Sequence, residues 1–272
     1  MSEPDGLRKL AIVPAYNEEG MVGRVVREIH RQAPGFHVLV VDDGSTDGTA
    51  AEAADAGAEV ISHPFNLGIG GTVQSGYKHA LRQGYDVAVQ VDGDGQHKPS
   101  YLVEMLEALH TGGQADMVYG SRFRGDPGYR VPLGRRIGNL IFSVVLTAIT
   151  RQRITDPTSG FRMTNRRGIE LFARDYPHDY PEVEAILMLH SHHLRIHEVP
   201  VRMNARGFGR SSIDYPRSAY YMAKVLLALF VGLFRRRPTP VEDHPERPEG
   251  EPVAGGAAVA GAAEGQDSAA GP

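Results

Sequence analysis

Apolar runs that stop in acidic turns and then restart as helices constrain this chain more than any other feature. LAIVPAY runs into NEE, HVLVV runs into DDGSTDGT, and YDVAVQV runs into DGDGQH. Helical spacing fills the gaps. Val22, Val25, Val26 and Ile29 share one face of a segment from Gly20 to Gln32. Thr46 to Ala56 and GGTVQSGYKHALRQG read as further helices, and AEVISH as another strand. Strands alternating with helices of this length predict right-handed βαβ units. The fold class is α/β: a mostly parallel sheet with helices on both faces. In such folds ligands sit beyond the carboxyl ends of strands. The three acidic loops fall there.

Asp92 and Asp94 are separated only by Gly93, which is expected to permit the bend. Two carboxylates this close repel each other unless a cation lies between them. Hard oxygen ligands suit Mg²⁺ or Mn²⁺, and Mg²⁺ takes one or two carboxylates plus substrate phosphates. The alternatives are an acidic surface turn or a calcium loop. An EF-hand needs a carboxylate at the twelfth position, where Val103 stands. His97 either touches a ligand or caps the loop. In DDGSTDGT one carboxylate suits a nucleobase N–H, while Ser45 and Asp47 fit helix N-capping. Glu19 reads as a first-turn acid complementing the helix dipole. Pro14 is expected to end its strand. NLGIGGTVQSG matches neither GxxxxGK[ST] nor GxGxxG, and reads as a tight turn opening a helix.

The second half adds arginines. GSRFRGD carries Arg122 and Arg124. Arg135 and Arg136 head a run in which Ile137, Leu140, Ile141, Val144, Val145 and Ile149 recur at helical spacing. Two readings stand: a core helix with solvated arginines, or a helix whose guanidinium groups take a phosphate. AKVLLALFVGLF, ending in Arg235, Arg236 and Arg237, is shorter than the ~20 apolar residues a bilayer span needs. It fits an interfacial segment or a packing helix. From Pro238 onward Pro, Gly, Ala and acids dominate, which predicts disorder. The expected divisions are therefore 1–215 for the folded domain, 216–237 for the apolar and basic helix, and 238–272 for the tail. The net charge of −4 argues against a nucleic-acid partner. The absence of cysteine excludes disulfides and thiolate metal sites. MSEPDGLRKL lacks the apolar run of a secretory signal.

The order PAYNEE, VVDDGSTDGT, NLGIGG, VDGDGQH, GSR, TSGFR resembles the family 2 glycosyltransferases of GT-A fold, from about Leu10 to Ile213. Within them the chain is similar to the polyprenyl-phosphate sugar synthases. The resemblance implies metal-dependent, inverting transfer of a sugar from a nucleotide-diphosphate sugar to a polyprenyl phosphate. It implies a metal, Mg²⁺ or Mn²⁺, held by Asp92, Asp94 and Gln96. Donor contacts fall to Pro14, Tyr16, Glu18, Val40, Asp42, Asp92, Gly93, Arg206 and Arg210. Arg135, Arg136, Ser159 and Arg162 face the acceptor, and Asp94, Arg122 and Arg135 carry catalysis. One departure stands out: the family's lysine position near the donor pyrophosphate is Ser212. The resemblance also implies a cytoplasmic enzyme on the inner membrane face, with a small membrane-protein partner. Transfer to a saccharide, a sugar nucleotidyltransferase and a non-catalytic scaffold are the alternatives carried forward.

Overall fold

The computed structural model describes residues 6–111, 115–125, 133–178, 180–204 and Lys224. Arg206, Arg210, Ser212, the apolar–basic segment other than Lys224, and the tail lie outside them.

Seven strands form one sheet: β1 (Lys9–Ala15), β2 (Phe36–Asp42), β3 (Glu59–Ser62), β4 (Val87–Gln90), β5 (Met117–Ser121), β6 (Arg162–Thr164) and β7 (Ile196–Pro200). Their order is β3-β2-β1-β4-β6-β5-β7. Only β6 runs antiparallel, between β4 and β5. The helices are α1 (Val22–Gln32), α2 (Thr49–Asp55), α3 (Gly68–Arg82), α4 (Leu102–Thr111), α5 (Leu133–Thr150), α6 (Arg166–Arg174) and α7 (Pro181–Ser191).

Period-two alternation splits the sheet between two cores. Leu10, Ile12, Leu39, Val41 and Met117 join Tyr77 of α3, Phe142 of α5 and Phe172 of α6. Ala11, Val13, Val38, Val40 and Val89 join Val22 and Val26 of α1 and Met105 of α4. Both faces are covered, so every residue of β1 is buried. Each fully buried Val, Leu or Ile is worth roughly 1.5–3 kcal/mol, which makes β1 the anchor of the sheet.

Two boundaries differ from the sequence reading. Pro14 does not end β1. The strand continues to Ala15, which pairs with Asp42, and the Pro14 carbonyl accepts from Gly93 N–H at 3.3 Å. The α2 helix starts at Thr49 rather than Thr46. Gly48 and Asp47 bond into its first turn, accepting from Glu52 N–H at 2.9 Å and Thr49 N–H at 3.0 Å, while Ser45 and Thr46 bond to Asn17 in the loop after β1.

Candidate active site

The loops leaving β1 and β2 are laced together. Asn17 N–H donates to Ser45 Oγ at 2.9 Å, and Thr46 N–H donates to Asn17 Oδ1 at 2.9 Å. Glu18 N–H reaches Thr49 Oγ1 at 2.8 Å. Glu19 N–H reaches Asp47, and the Glu19 carboxylate accepts from Gly48 N–H at 3.1 Å. Glu19 is thus a brace between loops; α1 has no acid in its first turn. Burial works to raise the Asp47 carboxyl, but donors from Thr49 and Glu19 hold it below its usual range.

Between these loops and β4 opens a cleft of about 300 Å³. Pro14, Tyr16 and Glu18 line one side, and Asp92, Gly93 and Asp94 another. Asp43, Asn66, Gly68, Ile69 and Thr72 complete it. The NLGIGG turn therefore opens α3, as its composition predicts, and is also a wall of the cleft.

The DGDGQH loop is held tightly. Gln90 Nε2 donates to Asp92 Oδ1 at 2.9 Å. Asp92 N–H donates to His97 Nδ1 at 3.0 Å, which leaves the ring proton on Nε2, 3.5 Å from Asp92 Oδ2. His97 is buried and stacks on Phe161 at 4.7 Å, so it caps the loop. Gln96 donates both its backbone N–H, at 3.0 Å, and its side-chain amide to Asp94. It braces the Asp94 carboxylate through its amide nitrogen. The bend itself belongs to Gly95, with φ of +73°. Gly93 is needed for close approach: a Cβ there would sit 3.1 Å from the Pro14 carbonyl.

Asp92 and Asp94 present hard oxygen donors to one open cleft, which fits a divalent cation completed by substrate phosphates. Among the described residues no group of three or more His, Cys, Asp or Glu could form a self-sufficient metal cage.

A second groove, of about 500 Å³, runs along α5. Arg136, Ile137, Asn139, Leu140 and Ser143 line it with Phe123 and Thr155. Arg136 is exposed, and Ile137, Leu140, Ile141 and Val144 are 50%, 62%, 36% and 60% exposed. They form an outward apolar stripe at i, i+3, i+4, i+7. Phe142 and Leu146 face the core. One face of the helix packs into the core, as the first reading expects, and the other is exposed beside Arg136. The Arg135 side chain lies outside the described residues.

The segment from Thr155 to Gly160 touches both places. Thr155 lines the α5 groove, and five residues later a Cβ on Gly160 would lie 3.3 Å from Asp92 Oδ2.

Several residues assigned to substrates serve the frame. Val40 is fully buried in the core and offers no contact to a donor. Asp42 is buried, accepts from Ser45 N–H at 3.1 Å, and is not among the cleft-lining residues. Its neighbour Asp43 is. Ser159 is buried, donating to the Gly120 carbonyl at 2.7 Å. Arg162 is buried beneath β6. It donates to the carbonyls of Ser159, Pro181 and Glu182 and lies 4.6 Å over the Tyr119 ring. Burial opposes its charge, but the surrounding phenols and Glu182 keep it protonated beyond the usual range. It cannot meet an acceptor. Arg122 is clamped in a bidentate pair by Asp156, at 2.7 and 2.8 Å, with Asp156 fully buried. Glu198, also buried, accepts from Thr155 and Asp156 N–H at 2.8 and 3.1 Å.

Sequence reasoning missed Asp43, His63, Asp156 and Glu198 as organisers. A signal was available for the first two: each directly follows the end of one of two adjacent parallel strands.

The Glycosyl transferase family 2 model matches residues 10–172. The chain belongs to that family and is a glycosyltransferase. It is similar to the polyprenol monophosphomannose synthase of Mycolicibacterium smegmatis, with 31% identity over 80% of this chain and 85% of the relative. It is also similar to the undecaprenyl-phosphate mannosyltransferase of Micrococcus luteus, with 32% identity over 76% and 88%. Among solved structures, glucosyl-3-phosphoglycerate synthase of Mycobacterium tuberculosis, in complex with Mn²⁺, UDP and glucosyl-3-phosphoglycerate, shares the fold. The TM-score is 0.62 at 21% identity, covering 83% of this chain and 80% of that one.

Proposed function

We propose that the protein moves a sugar from a nucleotide-diphosphate sugar to a polyprenyl phosphate at a membrane surface, with inversion at the anomeric carbon. The observation that carries this reading is the segment from Thr155 to Gly160. It joins a cleft lined by the Asp92 and Asp94 carboxylates to a groove with an arginine and an outward apolar stripe. Thr155 and Gly160 are five residues apart, so at most ~18 Å of chain separates the two places.

In this reading Pro14, Tyr16 and Glu18 take the nucleoside, and Asp92 and Asp94 hold Mg²⁺ or Mn²⁺. When bound, that cation supplies counter-charge to the departing diphosphate. Arg136 orients the acceptor phosphate. One of its oxygens attacks the anomeric carbon from the face opposite the diphosphate; the new C–O bond forms as the old one breaks. A phosphate oxygen is already anionic, so no general base is required, whereas a sugar hydroxyl would need one. The apolar stripe of α5 rests on lipid. No helix among the described residues is long and apolar enough to cross a membrane. The relatives named above act on lipid phosphates, which supports the acceptor class.

The test is incubation with a set of nucleotide sugars and undecaprenyl phosphate, followed by mass spectrometry of the lipid. A lipid heavier by one sugar is expected. Transfer only to a water-soluble saccharide overturns the acceptor.

A further inference from the structure

The inference rests on reading the Asp92–Asp94 cleft as the donor site, and concerns what shapes its far wall. Asp43 and His63 each follow the last residue of adjacent parallel strands, and those last residues, Asp42 and Ser62, are register partners. The two side chains meet. His63 Nδ1 lies 2.8 Å from Asp43 Oδ1, and its Nε2 lies 3.0 Å from Ser75 Oγ on α3. A carboxylate only accepts, so Nδ1 carries the proton, and in the neutral ring Nε2 accepts from the Ser75 hydroxyl.

The same carboxylate also receives Leu67 N–H on Oδ1 and Gly68 N–H on Oδ2, each at 2.9 Å. Three donors occupy most of its roughly four lone-pair sites. Asp43 is therefore largely committed to the protein, although it lines the cleft. Its commitment is to a segment that apolar packing does not hold: Phe65 and Leu67 are 64% and 46% exposed. That segment supplies Asn66, Gly68 and Ile69 to the cleft.

We propose that His63 is a positioning residue for donor binding: through Asp43 it fixes the wall formed by Asn66, Gly68 and Ile69, and so sets the space offered to the nucleotide. Ser75 fixes the ring plane from behind. Because His63 touches the donor only through this wall, its loss weakens binding without removing a reacting group.

The test measures binding of a nucleoside diphosphate panel (UDP, GDP, ADP, CDP and dTDP) with Mn²⁺ by calorimetry, on the full chain. Thermal melting runs beside it as a control of folding. The wild-type chain is expected to bind one of them, and His63→Ala to bind it about 10-fold more weakly. His63→Asn places an amide N–H where Nδ1 stood and should recover affinity to within about 3-fold. His63→Gln reaches the Nε2 position instead and should not. If the alanine variant fails to fold, the Asn and Gln variants carry the test. Equal recovery by both, or undiminished binding by His63→Ala, overturns the proposal. A wild-type chain that binds none of the panel overturns the donor-site reading, and the proposal falls with it.

Discussion

At the donor cleft, Asp43, Asp47 and Glu19 each accept hydrogen bonds from a different loop, whereas along α5 the side chains of Ile137, Leu140, Ile141 and Val144 turn to solvent. The first region is polar and cross-braced before any substrate arrives. The second is braced only on its inner side, where Asn139 and Ser143 donate to the Thr155 and Ile154 carbonyls, and its outward stripe is apolar. The difference matches what each is proposed to recognise. A nucleotide diphosphate is small, charged and directional, so its site benefits from fixed donors and acceptors. A lipid is long, flexible and featureless apart from its phosphate, so an apolar face with an arginine at its head serves it. The buried Arg122–Asp156 pair lies in the frame between them, within and beside the Thr155 to Gly160 segment that links the two.

The largest effect is expected at the braced site. Asp94→Asn should lower transfer by about 10³-fold or more, because the diphosphate loses its counter-charge. Circular dichroism should show an unchanged fold. Near-normal turnover with Mg²⁺ or Mn²⁺ would remove the metal assignment.

The frame between the regions responds differently. Asp156→Ala leaves Arg122 buried without its partner, which costs about 3–5 kcal/mol of stability. Urea unfolding should show this as a lower midpoint. A variant as stable as the wild type would show that the pair is not what holds the TSGF turn.

A milder change is expected on α5. Leu140→Asp combined with Val144→Asp should reduce sedimentation with anionic liposomes about 10-fold, since each apolar side chain withdrawn from lipid forfeits roughly 1.5–3 kcal/mol at full burial. Nucleoside diphosphate binding should not change. Unaltered liposome binding would place membrane contact elsewhere and undo the contrast between the two regions.

The smallest effect is in acid. Burial pushes the Asp43 carboxyl up, but hydrogen bonds from His63, Leu67 and Gly68 hold it below its ordinary 3.8. A depressed carboxylate contributes stability that is fully present above 3.8 and is lost as pH falls through the lower folded value. Melting temperature should therefore lose the Asp43 contribution only below about pH 3.8. Asp43→Asn, measured the same way, should lack that step. Identical acid profiles would mean that Asp43 is not the clamp.

The alternation of apolar runs with helical spacing determined the α/β class, the first four strands and the placement of the acidic loops at strand ends. These follow from local periodicity, which a chain carries in its order of residues. Asp92 and Asp94 stood out for the same reason, since their loop leaves β4 from the end where ligands gather, whereas Tyr16 and Glu18 were implied only by the family resemblance. Tertiary structure alone decided which face of α5 looks outward, since Leu140 and Phe142 are equally apolar and only packing separates them. It also decided the fate of the polar residues. Arg162 and Ser159 read as acceptor ligands, yet the antiparallel insertion of β6 between β4 and β5 buries both. Asp42 and Asp43 are adjacent and identical in type. Only the arrival of His63, Leu67 and Gly68 from across the β2–β3 pair makes Asp43 the one that shapes the cleft. Hydrogen bonds between loops far apart in sequence have no local period, and for that reason they come into view only once the strands are in register.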